Sequence, residues 1–155
     1  MKAETHPLPS SLYELDYFFW LEETVKQLRQ GKFSLVDLEN LIEEIESMGR
    51  SERRAVESLL INILVHVFKL AYWELERARN ANHWIMEIAT FRVQIKRILA
   101  NSPSLKPYVN KIFESCYEDA RKIVTRKKII DPSLIPLTPF LTIEQALDED
   151  WFPKA

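Results

Sequence analysis

The sequence predicts an all-α protein, a single-domain helical bundle of about five main helices plus a short C-terminal helix. Its 155 residues are a typical length for one domain. It contains only 2 glycines, too few for the turns of a multi-stranded sheet, and its 8 prolines lie mainly toward the two ends. Apolar residues recur at helical spacing along the chain. We therefore expect one domain over residues 1–155, with a flexible tail at 1–10.

The first predicted helix begins at Ser11 or at Asp16 and ends at Gly31. Ser11 and Glu14 have the spacing of a capping box, in which each side chain bonds the other residue's backbone. The apolar side of this helix is made of five residues, Tyr17, Trp20, Leu21, Val25 and Leu28.

The second predicted helix begins at Ser34 and stops at Gly49, because glycine is common just past a helix end. Asp37 in its first turn favours the positive end of the helix dipole. Its apolar residues are Leu35, Leu38, Leu41, Ile42 and Ile45. Its opposite face carries three glutamates, Glu39, Glu43 and Glu46.

The third predicted helix opens at Ser51 and continues at least to Tyr72. It is apolar almost all round between Ala55 and Trp73, so other helices must cover it on most sides. We expect it to be the central helix, with four residues fully buried, Leu60, Ile63, Leu64 and Val67.

Three further helices are predicted beyond it. The fourth covers residues 83–100, and the fifth runs from Ser104 to about Lys127. Residues 129–141 contain three prolines and are expected to form an ordered strap that docks four apolar residues, Ile135, Leu137, Phe140 and Leu141. Thr142 and Gln145 then have the spacing of a capping box for a short sixth helix.

A polar stripe runs along the third predicted helix at steps of four, four, four and three residues, formed by Arg54, Ser58, Asn62, His66 and Lys69. Either this stripe is the only solvent-exposed edge of the helix, or it lines a polar cleft. In the cleft interpretation His66 and Lys69 are the centre, because a buried charge needs partners. Glu43 or Glu44 would reach them from the second helix, and Arg50 or Arg54 across the Gly49 turn. Such a network either fixes the register of the helices or binds an anion, with His66 as proton donor.

Charge is segregated along the chain. Residues 50–130 carry 16 basic and 8 acidic groups, whereas residues 1–49 carry 4 and 10, and residues 131–155 carry 1 and 5. The densest positive run is the best nucleic-acid candidate, and it consists of Arg121, Lys122, Arg126, Lys127 and Lys128. A solvated helix end explains the same run, because cations complement the helix dipole there.

The sequence lacks the motifs of several classes of functional site. Two glycines cannot form the Gly-rich loops that bind nucleotide phosphates. No glutamate is followed by a histidine three residues later, so we expect no di-metal site, no other metal and no cofactor. The lone cysteine, Cys116, allows no internal disulfide and is expected to fill the core rather than to catalyse. No signal peptide and no membrane span is predicted, which indicates a cytoplasmic protein.

The sequence also resembles a bacterial family catalogued as domain of unknown function 29, which is helical and mainly cyanobacterial and proteobacterial. The most specific match is the string from Asp37 to Arg54. The others are Tyr13 to Tyr17 with Trp20, Leu28 to Gly31, His66 with Lys69, Trp84 with Arg92, Asn101 to Leu105, and Tyr117 to Arg121. The resemblance implies a compact helical fold and no settled activity, cofactor or substrate. Many members have a proline soon after the position of Tyr72, where this chain has Trp73 and Glu74.

Together these features favour a protein–protein interaction or regulatory module, whose partner is another protein or a second copy of the chain. No catalytic residue is predicted. The alternatives are a nucleic-acid-binding protein that uses the basic middle segment, and a small-ligand-binding protein or hydrolase that uses the stripe of His66 and Lys69.

Overall fold

The computed structural model describes residues 11–154, which contain helices and loops and no strand. The all-α prediction is confirmed, and the expected flexible tail at 1–10 lies outside the described residues. The helices are α1 Leu12–Leu15, α2 Tyr17–Arg29, α3 Leu38–Tyr72, α4 Glu74–Asn101, α5 Lys106–Thr125 and α6 Ile143–Leu147. The chain divides into two compact units, residues 1–49 and residues 50–155. A single domain over the whole chain stays a prediction.

Asp16, rather than Ser11, caps the long helix of the first unit. Its carboxylate accepts a hydrogen bond from the Phe19 amide at 3.0 Å, and its own backbone breaks the chain between α1 and α2. Ser11 makes no side-chain capping bond, so the capping box predicted at Ser11 and Glu14 is wrong. A carboxylate at this position also complements the helix dipole.

Gly31 ends α2 as its sequence position predicts. Its φ of 67° lies in the left-handed region, which glycine adopts at little cost. The Gly31 amide donates to the Leu28 carbonyl, and the Lys32 amide donates to the Gln27 carbonyl at 2.9 Å. These two bonds form a Schellman motif, which satisfies carbonyls that the helix leaves free and turns the chain toward α3.

Gly49 does not stop a helix, so the turn predicted there is wrong. The second and third predicted helices are one helix, α3, of 35 residues. A glycine inside a helix costs only about 1 kcal/mol relative to alanine. Good helix formers surround Gly49, and its φ is not positive, so the helix continues through it.

The end of α3 is set by Trp73 and capped by Arg77. Trp73 has non-helical dihedrals (φ −90°, ψ 70°) and separates α3 from α4. The Arg77 guanidinium donates to the Leu70 and Ala71 carbonyls at 2.8 and 2.6 Å, which are among the carbonyls left free at the helix end. The fourth helix begins nine residues earlier than the predicted 83, because residues 74–82 are mostly good helix formers and form the first turns of α4.

The core of the second unit surrounds the C-terminal half of α3. Leu60, Ile63, Leu64 and Val67 are all 0% exposed, as predicted. Ile88 and Ile95 of α4 and Val109 and Tyr117 of α5 belong to the same cluster. Phe68 packs its ring edge-on against that of Tyr117, with centroids 4.9 Å apart. This half of α3 is therefore the centre of the second unit.

The strap at 129–141 is docked on the same core. Ile135 and Leu141 are buried, and Phe140 packs partly buried against the core, as predicted, but Leu137 is 80% exposed. The strap is held by hydrogen bonds to its backbone carbonyls, so docking does not require the Leu137 side chain, which faces solvent. The Tyr117 hydroxyl donates to the Pro136 carbonyl at 2.8 Å, and Arg121 donates to the Pro132 carbonyl at 2.7 Å.

A fully buried arginine fixes the short helix α6 after the strap. The predicted capping box of Thr142 and Gln145 is present at its start. At its other end, Arg92 of α4 donates to the Ala146 carbonyl at 2.9 Å and to the Gln145 carbonyl at 3.2 Å. Its guanidinium also lies 5.0 Å from the centre of the Phe152 ring. Arg92 thus holds residues 145–152 on α4.

Candidate functional site

Two tyrosines and one glutamate join the helices of the first unit. The Tyr13 and Tyr17 hydroxyls donate to the two carboxylate oxygens of Glu44, at 2.6 and 2.7 Å. Hydrogen bonds of this length to an ionised group are strong. The bond to Glu44 raises the pKa of Tyr13 to about 12 and raises that of Tyr17, and both bonds lower the pKa of Glu44. Glu44 is one of the two glutamates predicted to reach His66. In the structure it joins α1 and α2 to α3 instead.

The side chains between α2 and α3 are largely polar. Trp20 and Thr24 are buried, and both line a cavity of about 200 Å³ whose wall also includes Gln27 and Asp37. Trp20 Nε1 has no hydrogen-bond partner within residues 11–154. The Tyr17 hydroxyl bonds Glu44 near one end of α2, and Thr24 and Asp37 line the same cavity further along. α2 and the start of α3 therefore form an antiparallel hairpin.

Each helix of this hairpin carries an apolar stripe. The stripe residues follow, one position later in the sequence, the residues on the side that faces the other helix. On α2 the inward residues Tyr17, Trp20, Thr24 and Gln27 are followed by Phe18, Leu21, Val25 and Leu28. At the start of α3 the half-buried residues Asp37, Asn40 and Glu44 are followed by Leu38, Leu41 and Ile45, and Met48 continues this stripe after the exposed Ser47. Both stripes have the alternating spacing of three and four that coiled-coil helices use for contact. The eight stripe residues are called the apolar face below.

The two stripes lie on the same side of the hairpin. One position along an α-helix is a rotation of about 100°. In an antiparallel pair, equal rotations taken along each chain carry both stripes toward the same side, because the two helix axes run in opposite directions. The apolar face is therefore one continuous surface that includes both helices.

Six of the eight residues of this surface are exposed, and Leu21 and Leu41 are half-buried. The exposed fractions are 69% for Phe18, 62% for Leu38, 59% for Ile45 and 67% for Met48. Of 19 exposed large hydrophobic residues among residues 11–154, 12 lie between Leu15 and Met48. Soluble proteins seldom expose extended apolar patches unless these bind something.

The polar stripe predicted on the third helix is exposed at one end and half-buried at the other. Arg54 and Ser58 are exposed, whereas Asn62, His66 and Lys69 are half-buried. His66 and Lys69 lie one turn apart, and the Lys69 charge is one cause that lowers the pKa of His66. Glu43 and Arg50 are on the solvent-exposed part of α3. Because the Gly49 turn does not exist, the route by which Glu43 or Arg50 would reach His66 is lost, and a binding role of this set stays a prediction.

The His66 side chain is held by a backbone hydrogen bond and packs against an aromatic ring. Its Nδ1 lies 2.8 Å from the Asn62 carbonyl, which can only accept, so Nδ1 carries a proton and donates it there. Its ring packs 5.5 Å from that of Phe91. Burial lowers the pKa of His66, and this outweighs the opposite effects of the hydrogen bond to Asn62 and of Glu87. This shift disfavours the protonated imidazole, and a role of His66 as proton donor stays a prediction.

The basic run of α5 is used partly within the protein. Arg121 donates to the Pro132 and Ile135 carbonyls of the strap, and Lys122 forms an ion pair with Glu118 at 3.1 Å. The other three residues, Arg126, Lys127 and Lys128, form an exposed 3-10 turn after α5. This turn is the part of the run that a nucleic acid could contact.

Cys116 is buried in the core, as predicted, and burial raises the pKa of its thiol to about 12. A thiol with this pKa is a poor nucleophile at neutral pH. Within residues 11–154 there is no group of three or more His, Cys, Asp or Glu side chains that could hold a metal ion.

By length and composition alone, α3 is apolar enough to cross a membrane. Its most apolar 18 residues have a mean hydropathy of 1.5, and 44% of them are buried inside the protein. The core helix of a water-soluble protein has the same properties, so this feature is weak evidence for a membrane span. The cytoplasmic location stays a prediction.

Comparison with known proteins gives a family and no activity. Neither a curated protein nor a solved structure matches the sequence. One family model matches residues 12–152, nearly the whole of the described chain, and its description is Domain of unknown function DUF29. The resemblance seen in the sequence is thereby confirmed, and the chain belongs to the DUF29 family.

Proposed function

We propose that this protein is a protein–protein interaction module and that the apolar face of the hairpin is its binding surface. The observation that carries the proposal is the placement of two apolar stripes on one side of the hairpin, with the polar side chains between the helices. A hairpin that only had to fold would bury these stripes instead. Burial of a large aliphatic side chain contributes about 1.5 to 3 kcal/mol, so covering this face would supply considerable binding free energy.

The proposed surface predicts helix-in-groove binding. In this mode the apolar residues of a partner helix, spaced at three and four positions, enter a groove between two helices. The apolar face has the same spacing on both of its helices, so a third helix along the groove completes a three-helix bundle.

The test uses three fluorescent amphipathic peptides of about 20 residues, a length of about 30 Å. They share one apolar face and have acidic, neutral or basic polar faces. We expect at least one to bind with a Kd of about 100 µM or tighter, measured by fluorescence anisotropy. The variant Ile45→Asp should abolish binding, and Val93→Asp, which changes an exposed valine of α4, should not. Failure of all three peptides to bind, or equal loss in both variants, would refute the proposal.

The nucleic-acid alternative has less support because Arg121 and Lys122 already have partners within the protein. It predicts salt-dependent binding of RNA or DNA that Lys127→Glu with Lys128→Glu removes. We expect no such binding.

A further inference from the structure

We infer that the apolar face binds a basic amphipathic helix of a partner protein. This inference rests on the proposed function and adds the chemistry of the partner. It is carried by the charges that surround the face, which are independent of its apolar character.

The outer edge of the face on α3 is acidic. Leu38 is followed by Glu39, and Ile45 is followed by Glu46, so each glutamate lies about 100° further round the helix than a stripe residue. The order across α3 is therefore an inward acid, an apolar residue and an outer acid, and it occurs twice, at residues 37–39 and 44–46. Both outer glutamates are exposed.

The rest of the first unit has the same sign. Residues 11–49 contain nine acidic and three basic side chains. The edge on α2 is mixed, because the residues one position after its stripe are Phe19, Glu22, Lys26 and Arg29. A helix that lies in the groove with lysine or arginine toward α3 would meet Glu39 and Glu46, and complementary charge favours both encounter and register.

The same charges disfavour two other occupants. Residues 11–49 carry nine acidic and three basic side chains, so two copies of the first unit would bring together surfaces of like net charge, which is unfavourable across an interface. A membrane that contains anionic lipids would repel the acidic rim, whereas membrane-surface helices typically carry a basic polar face.

The test compares the basic and neutral peptides described above against rim variants. We expect the basic peptide to bind more tightly than the neutral one and to weaken as salt rises from about 50 to 500 mM, because salt screens exposed charges. Glu39→Gln with Glu46→Gln should weaken the basic peptide by about 2- to 30-fold, since each of the two exposed ion pairs contributes modestly. It should leave the neutral peptide unchanged. The matched control is Glu114→Gln with Glu118→Gln on α5, which should change neither peptide.

The outcomes separate the two proposals. Equal or tighter binding of the neutral or acidic peptide overturns the basic partner and leaves the interaction surface in place. Loss of all peptide binding overturns both. A dimer of the chain alone in sedimentation, removed by Ile45→Asp, would make the occupant a second copy. Binding to vesicles of phosphatidylcholine and phosphatidylserine that Ile45→Asp removes would make it a membrane. Either result would overturn the inference.

Discussion

The buried guanidinium of Arg92 gives the sharpest prediction about stability. Arg92 is 0% exposed, and no ion pair with a carboxylate of residues 11–154 accounts for its burial. Its hydrogen bonds go to the Ala146 and Gln145 carbonyls, and its Nη1 has no partner within residues 11–154. Replacing it by methionine keeps much of the apolar volume and removes both bonds.

The expected loss follows from those two bonds. Hydrogen bonds to a charged group contribute about 1.5 to 3 kcal/mol each, and the two carbonyls of α6 would be left without this donor. Part of this loss in the free energy of unfolding is offset, because the variant has no buried guanidinium charge to desolvate on folding. We therefore expect Arg92→Met to lower the free energy of unfolding by about 2 to 4 kcal/mol.

Urea unfolding followed by circular dichroism measures this loss, and hydrogen exchange locates it. The amides of α6 should exchange faster in Arg92→Met than in the parent, because Arg92 is the side chain that holds this helix end. Arg97→Met is the control, since Arg97 is exposed on the same helix. A loss below about 1 kcal/mol, or exchange in α6 like that of the parent, would show that the packing of residues 145–152 is enough without Arg92.

Three other predictions follow from the structure. Leu64→Ala should cost about 2 to 5 kcal/mol in chemical denaturation through lost transfer energy and a cavity, and a loss below about 1 kcal/mol would place α3 outside the core. Burial lowers the pKa of His66 in the folded state, so the unfolded state binds its proton first as the pH falls. Stability should therefore fall on acidification from about pH 6.5, the unfolded value, toward the lower folded value, and His66→Gln should reduce this slope. In Glu44→Gln the phenol titrations of Tyr13 and Tyr17, followed by NMR, should move to lower pH, because the carboxylate that raises both pKa values is gone. Unchanged titrations would mean that these bonds do not form in solution.

The sequence predicted the helices and the core of the second unit because burial leaves a periodic signal. The positions of Leu60, Ile63, Leu64 and Val67 repeat at helical spacing and are apolar, and all four are buried. Gly49 was misread because a glycine at C′ and a glycine inside a helix look alike in sequence. Only the backbone dihedrals distinguish Gly31, with its positive φ, from Gly49.

The candidate surface could be predicted only in part. The sequence pattern includes six of the eight stripe residues, all but Phe18 and Met48. It groups those of α2 with Trp20, which is buried on the adjacent face. A rotation of about 100° separates the two groups, and the contact of Glu44 with Tyr13 and Tyr17 decides which group faces inward. The partners of Arg92 lie 53 and 54 residues away and are backbone carbonyls, which carry no side-chain signal.

The most direct test of the central claim is a methyl NMR titration of the whole protein with the basic amphipathic peptide. The account predicts shifts in the methyl signals of the apolar face, at Leu21, Val25, Leu28, Leu38, Leu41, Ile45 and Met48. The exposed apolar residues of α4, Leu75, Met86 and Val93, should keep their positions. Shifts confined to α4 or α5, or no shifts at saturating peptide, would contradict the claim that this hairpin is the binding surface.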